Sequence, residues 1–162
     1  MRVLGIDPGR HGAVAVVDRY GIDRYATLPW NGEGRLWADA LEAWIGEWTC
    51  GQTVAYIERQ WARPTDGKKQ AFALGCTYGS LLAVLDIATQ TPVQIVEPKV
   101  WQAELLAEGA GDTKARALDA ATRLWKGERF RATTRARTPH DGIVDACLIA
   151  YYGLRCEMGG QP

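Results

Sequence analysis

The sequence predicts an α/β domain with a mixed five-stranded sheet flanked by helices. Its first part holds short apolar runs separated by tight turns, which indicates an antiparallel meander. Further on, apolar runs alternate with stretches of helical periodicity, a pattern typical of strand–helix units with parallel strands. A length of 162 residues with 47% hydrophobic content suits one domain with a real core. We expect residues 1–156 to form this domain and residues 157–162 to be a flexible tail.

The first predicted strand ends in an acidic residue. Residues 3–6 are mostly apolar, Pro8 and two glycines form a turn, and residues 13–17 make a second apolar run. Both faces of that second run are apolar, so the hairpin is predicted to be central in the sheet. Asp7 then lies at the rim of a buried sheet, where a carboxylate needs a partner. In the alternative interpretation, Asp7 simply caps a tight bend.

Apolar periodicity predicts the remaining elements in chain order. They are a strand over residues 23–28, a helix over 35–48, a strand over 53–57 followed by Glu58, a helix over 70–88, a strand over 93–96, and helices over 112–125 and 140–152. Pro29, Asn31 and Gly32 close the third strand. A loop rich in Pro, Gly and Lys separates Glu58 from the next helix.

Charge and cysteine content restrict the environment and the partners. The 19 basic and 19 acidic residues cancel, so a nucleic-acid partner would be bound by a local basic patch rather than by a global field. No segment is expected to reach the apolar length of a membrane span, and the N-terminus lacks signal-peptide features, which predicts a cytoplasmic protein without a membrane partner. The scattered cysteines predict reduced core thiols rather than disulfides or a zinc site. They are Cys50, Cys76, Cys147 and Cys156.

Four carboxylates fall at the ends of predicted elements beside turns or loops. They are Asp7, Glu58, Asp141 and Asp145. Asp141 and Asp145 are four residues apart, which is about 40° around a helix, so they share one face and repel each other. A divalent metal between them would relieve that repulsion. Alternatively, Asp141 caps the helix and Asp145 is solvated, but the apolar neighbours of Asp145 at residues 143–150 fit that interpretation poorly.

These residues resemble the RuvC family of Holliday junction resolvases, which have the RNase H fold. The resemblance rests on GIDPG at the N-terminus, on an acid that closes the AYIE strand and on the late helix HDGIVDACLIA, and it runs over nearly the whole chain. It implies an RNase H-like sheet and a metal-dependent endonuclease that resolves four-way DNA junctions by paired symmetric nicks. The short first turn resembles compact phage-type members, so a bacterial or phage-infected cell is the expected setting.

The family's metal-binding and catalytic positions are implied residue by residue. The metal-binding acids fall on Asp7, Glu58, Asp141 and Asp145. The last acid pair is spaced by four residues, whereas the best-known members have an acid or His three residues before the final Asp. His140 is therefore an alternative or additional fourth ligand beside Asp141. Lys114 matches a family lysine near the scissile phosphate.

Phosphodiester hydrolysis explains why such a cluster is needed. Two Mg²⁺ ions roughly 3.5 to 4 Å apart activate a water and stabilise the leaving oxygen. Hard cations of this kind, with Mn²⁺ as an alternative, prefer the carboxylate oxygens of Asp and Glu. In this interpretation Asp7 bridges both ions, while Glu58 and Asp145 each complete one. A rigid strand end would hold the bridging ligand in place.

Candidate DNA contacts surround the acids. The loop RQWARPTDGKK follows Glu58, and the resemblance implies that its aromatic residue, Trp61, enters the junction. Stacking of a base on an indole contributes roughly 1 to 3 kcal/mol; the alternative is a Trp packed on the core. Residues 114–137 are rich in basic side chains, which form either a phosphate track or a solvated surface. The candidate DNA-binding residues are Arg59, Trp61, Arg63, Lys68, Lys69, Lys114, Arg116, Arg135 and Arg137.

The expected partners are branched DNA and a second copy of the chain, while a branch-migration partner is not specified by the sequence. Small residues recur every fourth position at Ala71, Gly75, Gly79 and Ala83, which permits a close approach of backbones. The stripe serves either a homodimer, which supplies two active sites for two nicks, or packing on the domain's own sheet. The family's corresponding helix lies at its dimer interface.

One alternative function stays open. An RNase H-fold nuclease that acts on a flap or an RNA–DNA hybrid would carry the same acids and differ in its DNA-binding loops. An actin-like ATPase would need two such domains, and this chain is long enough for one. A catalytically inactive DNA-binding module would be expected to lack an acid, whereas all four are present.

Overall fold

The computed structural model describes residues 1–49, 52–106 and 111–159. Five strands and five helices occur in these ranges. The strands are β1 (Arg2–Asp7), β2 (Ala13–Asp18), β3 (Gly21–Thr27), β4 (Thr53–Glu58) and β5 (Gln94–Val96). The helices are α1 (Ala38–Trp48), α2 (Lys68–Thr89), α3 (Pro98–Leu105), α4 (Thr113–Leu124) and α5 (Asp141–Glu157).

The strands form one mixed sheet in the order β3-β2-β1-β4-β5, which confirms the predicted fold class. β1 is central, antiparallel to β2 and parallel to β4. Ile6 pairs with Ile57, so the residues that follow them, Asp7 and Glu58, lie side by side at the same edge of the sheet. Parallel pairing thus brings together two acids that are far apart in sequence.

Helices cover both faces of the sheet because β1 and β2 are apolar on both faces. On one face, residues such as Val3 and Ala15 join a buried cluster with α5, α4 and Trp101 of α3. On the other face, Leu4 and Val16 join a cluster with α1 and α2. The two clusters hold β1 rigidly between them.

Helix α5 lies directly against the central strand because Gly5 has no side chain. A Cβ atom at Gly5 would stand 2.1 Å from the carbonyl oxygen of Ala146 and 2.3 Å from the amide nitrogen of Ala150. A similar close approach occurs where Gly153 meets the ring of Tyr56. The backbone of α5 therefore runs along β1 and brings the start of the helix to the edge where Asp7 lies.

Several elements differ from the sequence prediction. Helix α3 was not predicted, although Pro98 at its first position is a typical helix start. Helix α5 continues to Glu157, so that residue is helical rather than part of a tail, and residues 160–162 lie outside the described ranges. Of the predicted core thiols, Cys147 is buried and Cys156 is half-buried, but Cys76 is exposed, and Cys50 lies outside the described residues.

Helix α2 corrects a further expectation. The helix has 22 residues, and an 18-residue window within it has a mean hydropathy of 1.6, so it is long and apolar enough to cross a membrane by length and composition. The prediction that no segment reaches that length is therefore wrong. Leu81 and Leu85 are buried against the domain, whereas Phe72 and Ile87 are 75% and 70% exposed. The helix thus packs one face on the domain and leaves an apolar face uncovered.

Candidate active site

Asp7 is the last residue of the central strand, and local contacts fix its carboxylate. Its Oδ1 accepts a hydrogen bond from the amide of Gly9 at 3.1 Å. A Cβ atom at Gly142 would lie 2.9 Å from Oδ2 of Asp7 and 2.2 Å from the carbonyl oxygen of His11. Only glycine fits there, so the first turn of α5 presses against Asp7. The turn-capping interpretation of Asp7 is correct, and it is compatible with a functional one.

Glu58 ends the neighbouring strand and is held by a tryptophan that sequence reasoning missed. The indole Nε1 of Trp101 donates a hydrogen bond of 2.8 Å to Oε2 of Glu58. Trp101 is 1% exposed, so the donor is fixed by packing. The signal that was available is Pro98, which starts α3 directly after β5.

The two acids of α5 have different surroundings. Asp145 is half-buried, which contradicts the alternative that it is a solvated residue. Asp141 is exposed and its Oδ2 lies 2.6 Å from Nζ of Lys114, an ion pair that raises the pKa of the lysine. The N-cap of the helix is His140 and no side chain caps it, so the alternative role of Asp141 as the cap is wrong.

The acids act on one another electrostatically. Burial, followed by the charges of Asp7, Glu58 and Asp141, raises the pKa of Asp145 to about 7. Burial and the charge of Asp7 raise the pKa of Glu58 to about 7 against the hydrogen bond from Trp101. Burial also raises the pKa of Asp7, while the Gly9 amide and His140 lower it. All four predicted acids thus gather at one rim, where their negative charges are costly.

The donor set fits a hard divalent cation, although the side chains do not converge on one point. In residues 1–49, 52–106 and 111–159, no three His, Cys, Asp or Glu side chains are close enough to hold one ion. Glu58 and Asp141 are instead bonded to Trp101 and Lys114. Carboxylate oxygens suit Mg²⁺, and a cation would relieve the repulsion. In the described part of the chain the buried Nδ1 of His140 has no hydrogen-bond partner, which suits an additional ligand.

The loop after β4 presents an aromatic side chain to solvent. Trp61 is 64% exposed, so the alternative that it packs on the core is wrong. The guanidinium of Arg59 lies over its ring at 5.2 Å from the centroid. Glu97 pairs with Arg59 and accepts a hydrogen bond of 3.5 Å from the indole of Trp61. Glu97, the residue before α3, therefore holds both Arg59 and Trp61 of this loop.

The remaining candidate DNA-binding residues lie on two segments that adjoin the acids. Arg63, Lys68 and Lys69 are exposed in the loop after β4 and in the first turn of α2. On α4, Lys114 is exposed and Arg116 is half-buried; Arg135 and Arg137 are exposed in the segment that leads into α5. These basic residues thus flank the acids from the β4 side and from the α5 side.

The fold is shared with solved structures of RuvC. The structure is similar to that of Thermus thermophilus RuvC in complex with a Holliday junction substrate, with a TM-score of 0.68 and 19% identity over 99% of this chain and 97% of the other. A second Thermus thermophilus RuvC structure gives a TM-score of 0.65 and 19% identity over 99% and 98%. No protein-family model matches the sequence, and the comparison with curated proteins gives no match. The likeness establishes an RNase H-like fold of the RuvC type.

Proposed function

We propose that the protein is a metal-dependent endonuclease that resolves four-way DNA junctions in recombination and repair. The observation that carries this proposal is the gathering of Asp7, Glu58, Asp141 and Asp145 at one rim, with the exposed indole of Trp61 three residues after Glu58 in the chain. The likeness to a RuvC structure bound to a Holliday junction supports the choice of substrate. The protein would act in the cytoplasm of a bacterial or phage-infected cell.

Two Mg²⁺ ions, or Mn²⁺, are the proposed cofactors. Asp7, Glu58 and Asp145 would hold them, with Asp141 or His140 as the fourth ligand. When bound, the ions supply an activated water and stabilise the leaving oxygen of the phosphodiester. The buried ends of β1 and β4 hold Asp7 and Glu58 in place, and the Trp101 indole orients Glu58. Lys114 now donates a hydrogen bond to Asp141; if Asp141 held a cation, the ammonium of Lys114 would be free to pair with a phosphate.

The basic segments beside the acids are the proposed track for DNA. Trp61 would stack at the open centre of the junction, and Arg59, Arg63, Lys68 and Lys69 would contact phosphates on the β4 side. Lys114, Arg116, Arg135 and Arg137 would do so on the α5 side. The net charge of zero supports local contacts of this kind over general attraction to DNA.

A homodimer would provide the two active sites that two symmetric nicks require. The stripe of small residues on α2 supports this proposal, because Cβ atoms at Gly75 and Gly79 would meet nothing within 4 Å. The alternative that these glycines pack on the domain's own sheet is therefore wrong. Phe72 and Ile87 extend the uncovered apolar face at its two ends. A second copy of α2 would cover this face with a close helix–helix approach.

The decisive experiment compares four substrates under one set of conditions: a four-way junction, a linear duplex, a flap and an RNA–DNA hybrid. With Mg²⁺ present we expect cleavage of the junction at two symmetric positions, and no cleavage of any substrate in EDTA. Preferential cleavage of the flap or the hybrid would instead identify a nuclease of the same fold with another substrate. Junction cleavage that persists in EDTA would contradict the metal dependence.

A further inference from the structure

A cavity of about 520 Å³ opens directly beside Asp7 and is not explained by the acids. Its walls come from three segments that are distant in sequence. The segments are the β1–β2 turn at residues 8–12, the loop at residues 28–37 that follows β3, and the loop after β4 with the first half of α2. The volume lies within the roughly 300 to 1,000 Å³ that small-molecule sites occupy.

One wall of the cavity is a guanidinium group held over an indole. The Cζ atom of Arg10 lies 4.8 Å from the ring centroid of Trp30. Its Nη1 donates a hydrogen bond of 2.8 Å to the carbonyl oxygen of Gly34. Gly34 has a φ of +72°, and a Cβ atom there would lie 3.2 Å from the same nitrogen. Trp30 packs on the core cluster of α1 and α2, so Arg10 presents a fixed, planar, cationic surface to the cavity.

The wall formed by the loop after β4 and by α2 offers an indole and hydrogen-bonding groups. Trp61 lines this wall with Arg63 and with the amide side chains of Gln60 and Gln70. One carboxylate, that of Asp66, also lies here and accepts a hydrogen bond of 2.8 Å from the amide of Arg63. Primary amides donate and accept hydrogen bonds at the edge of a planar ligand. Guanidinium and indole planes stack on its face, which is how proteins bind unstacked nucleobases.

On the basis of the proposed nuclease function, we propose that this cavity receives one unpaired nucleobase of the DNA strand that crosses Asp7, stacked on the guanidinium of Arg10. Pro8 and Gly9 line the cavity and directly follow Asp7, so a base here would belong to a nucleotide next to the cleaved phosphate. A paired base cannot enter without leaving the duplex. That cost is smallest where pairing is already interrupted, so the cavity selects branched DNA over continuous duplex.

The first test measures binding by fluorescence anisotropy in EDTA, so that cleavage does not intervene. Arg10→Ala should weaken binding to a four-way junction roughly tenfold, at the lower end of what base stacking contributes, and leave duplex affinity nearly unchanged. Arg10→Lys keeps the positive charge, and we expect this variant to bind the junction about as weakly as Arg10→Ala does. Arg19→Ala is the matched control, because Arg19 is an exposed arginine in the β2–β3 turn at the opposite end of the sheet.

The second test removes bases instead of side chains. Each junction in a series carries one abasic site close to the branch point. At one position the loss of the base should weaken binding by the wild-type protein about as much as Arg10→Ala does. On that junction Arg10→Ala should cause no further loss. Melting curves of each variant establish that the domain is folded.

The outcomes separate this proposal from the proposed function. If Arg10→Ala weakens junction and duplex alike, Arg10 is a phosphate contact and the proposal is overturned. It is also overturned if no abasic position removes the effect of Arg10→Ala, even when the wild-type protein still cuts junctions in Mg²⁺. A third outcome is that one abasic position removes the effect of Arg10→Ala on binding, but the wild-type protein cleaves no junction in Mg²⁺. That outcome would contradict the nuclease function and support the base site. A protein that binds no DNA would overturn both.

Discussion

At the scale of single residues, Asp7 combines a structural and a proposed chemical role. Its hydrogen bond to the Gly9 amide forms the turn, and its burial raises its pKa. Asp18 closes the next turn in the same way, with Oδ1 2.8 Å from the amide of Tyr20, but at the opposite end of the sheet. The chain therefore contains its own control for the effect of losing a turn-forming aspartate.

Asp7→Asn should reduce junction cleavage by at least about a hundredfold, because even partners outside the ligand set of a metal site cost ten- to a hundredfold. Junction affinity in EDTA should hold or increase, since one negative charge that faces phosphates is removed. Asp18→Asn should cleave normally. Substantial cutting by Asp7→Asn would contradict the assignment of Asp7 as a metal ligand.

The fourth ligand is identified by comparing the cleavage rates of His140→Ala and Asp141→Asn. The residue whose substitution lowers the rate more is the ligand.

The raised pKa values predict how stability depends on pH. Glu58 and Asp145 have folded-state pKa values of about 7, above the ordinary values of 4.5 and 3.8. The contribution of these two groups to the stability of the fold is fully present below their pKa values in the unfolded chain, and it is lost as pH rises through about 7. The Tm in EDTA should therefore fall between about pH 5 and about pH 8. Glu128, whose pKa is lowered from 4.5, titrates below this window.

Two additions make the pH prediction specific. Asp145→Asn should raise the Tm at about pH 8 and flatten the decline, whereas Asp119→Asn, at an exposed carboxylate of α4, should not. Added Mg²⁺ should raise the Tm more at about pH 8 than at about pH 5, because it competes with protons for the acids. A Tm that increases with pH in EDTA would show that the acids do not repel one another in the fold.

Trp61→Ala should lower junction cleavage strongly and change the Tm little. The indole is 64% exposed, so its truncation loses little packing, whereas a buried Trp would cost about 3 to 5 kcal/mol. Tyr20→Ala is the matched control, since Tyr20 is an aromatic that is 82% exposed in the β2–β3 turn at the far end of the sheet. Unchanged junction cleavage by Trp61→Ala would remove this residue from the DNA interface.

At the scale of elements, the contact between β1 and α5 decides whether the acids meet. A Cβ atom at Gly5 would collide with backbone atoms of α5, which cannot move aside as a flexible side chain does. The separation of this helix from the central strand sets the position of Asp145 relative to Asp7. A small displacement of α5 would therefore alter the candidate site without touching any acid.

Gly5→Ala should destabilise the domain by at least about 1 to 3 kcal/mol and reduce cleavage further than the stability loss explains. Denaturant unfolding measures the first effect, and cleavage well below the melting transition measures the second. Gly46→Ala on α1 is the control, because a Cβ atom there meets nothing within 4 Å and alanine favours the helix. A Gly5→Ala protein with wild-type stability would contradict the close contact between β1 and α5.

At the scale of the whole molecule, the uncovered face of α2 is the main feature that one domain does not explain. An exposed apolar patch of this kind commonly marks an interaction surface. A second copy of the chain would cover it and supply the second active site. The length and hydropathy of α2 would also suit a membrane span. Whether the purified protein stays in solution without detergent discriminates a dimer interface from a membrane span.

Light scattering on the purified protein without detergent should give about twice the chain mass of 17.8 kDa. Gly79→Arg should shift the mass towards the monomer, because it places a long charged side chain in the stripe where a Cβ atom now meets nothing. Gly46→Arg makes the same change on α1 and should leave the dimer intact. A wild-type monomer at micromolar concentration that still makes paired nicks would defeat the dimer proposal.

The sequence by itself determined most of the elements and which acids stand at their ends. Turn residues around Asp7 and the apolar strand before Glu58 are local signals, and both faces of β2 are apolar, so the mixed sheet was predictable. The missed helix α3 is short, and its periodicity spans only 8 residues. The extension of α5 to Glu157 was missed at an element boundary.

Only the tertiary structure decided which side chains meet across the fold. Trp101 is 43 residues from the Glu58 that it holds, and Arg10 is 24 residues from the Gly34 carbonyl that orients it. Periodicity reports which face of one element is apolar, but it carries no information on which other element covers that face. The stripe on α2 therefore fitted either the sheet or a second copy until packing placed Gly75 and Gly79 on the side that faces away from the domain.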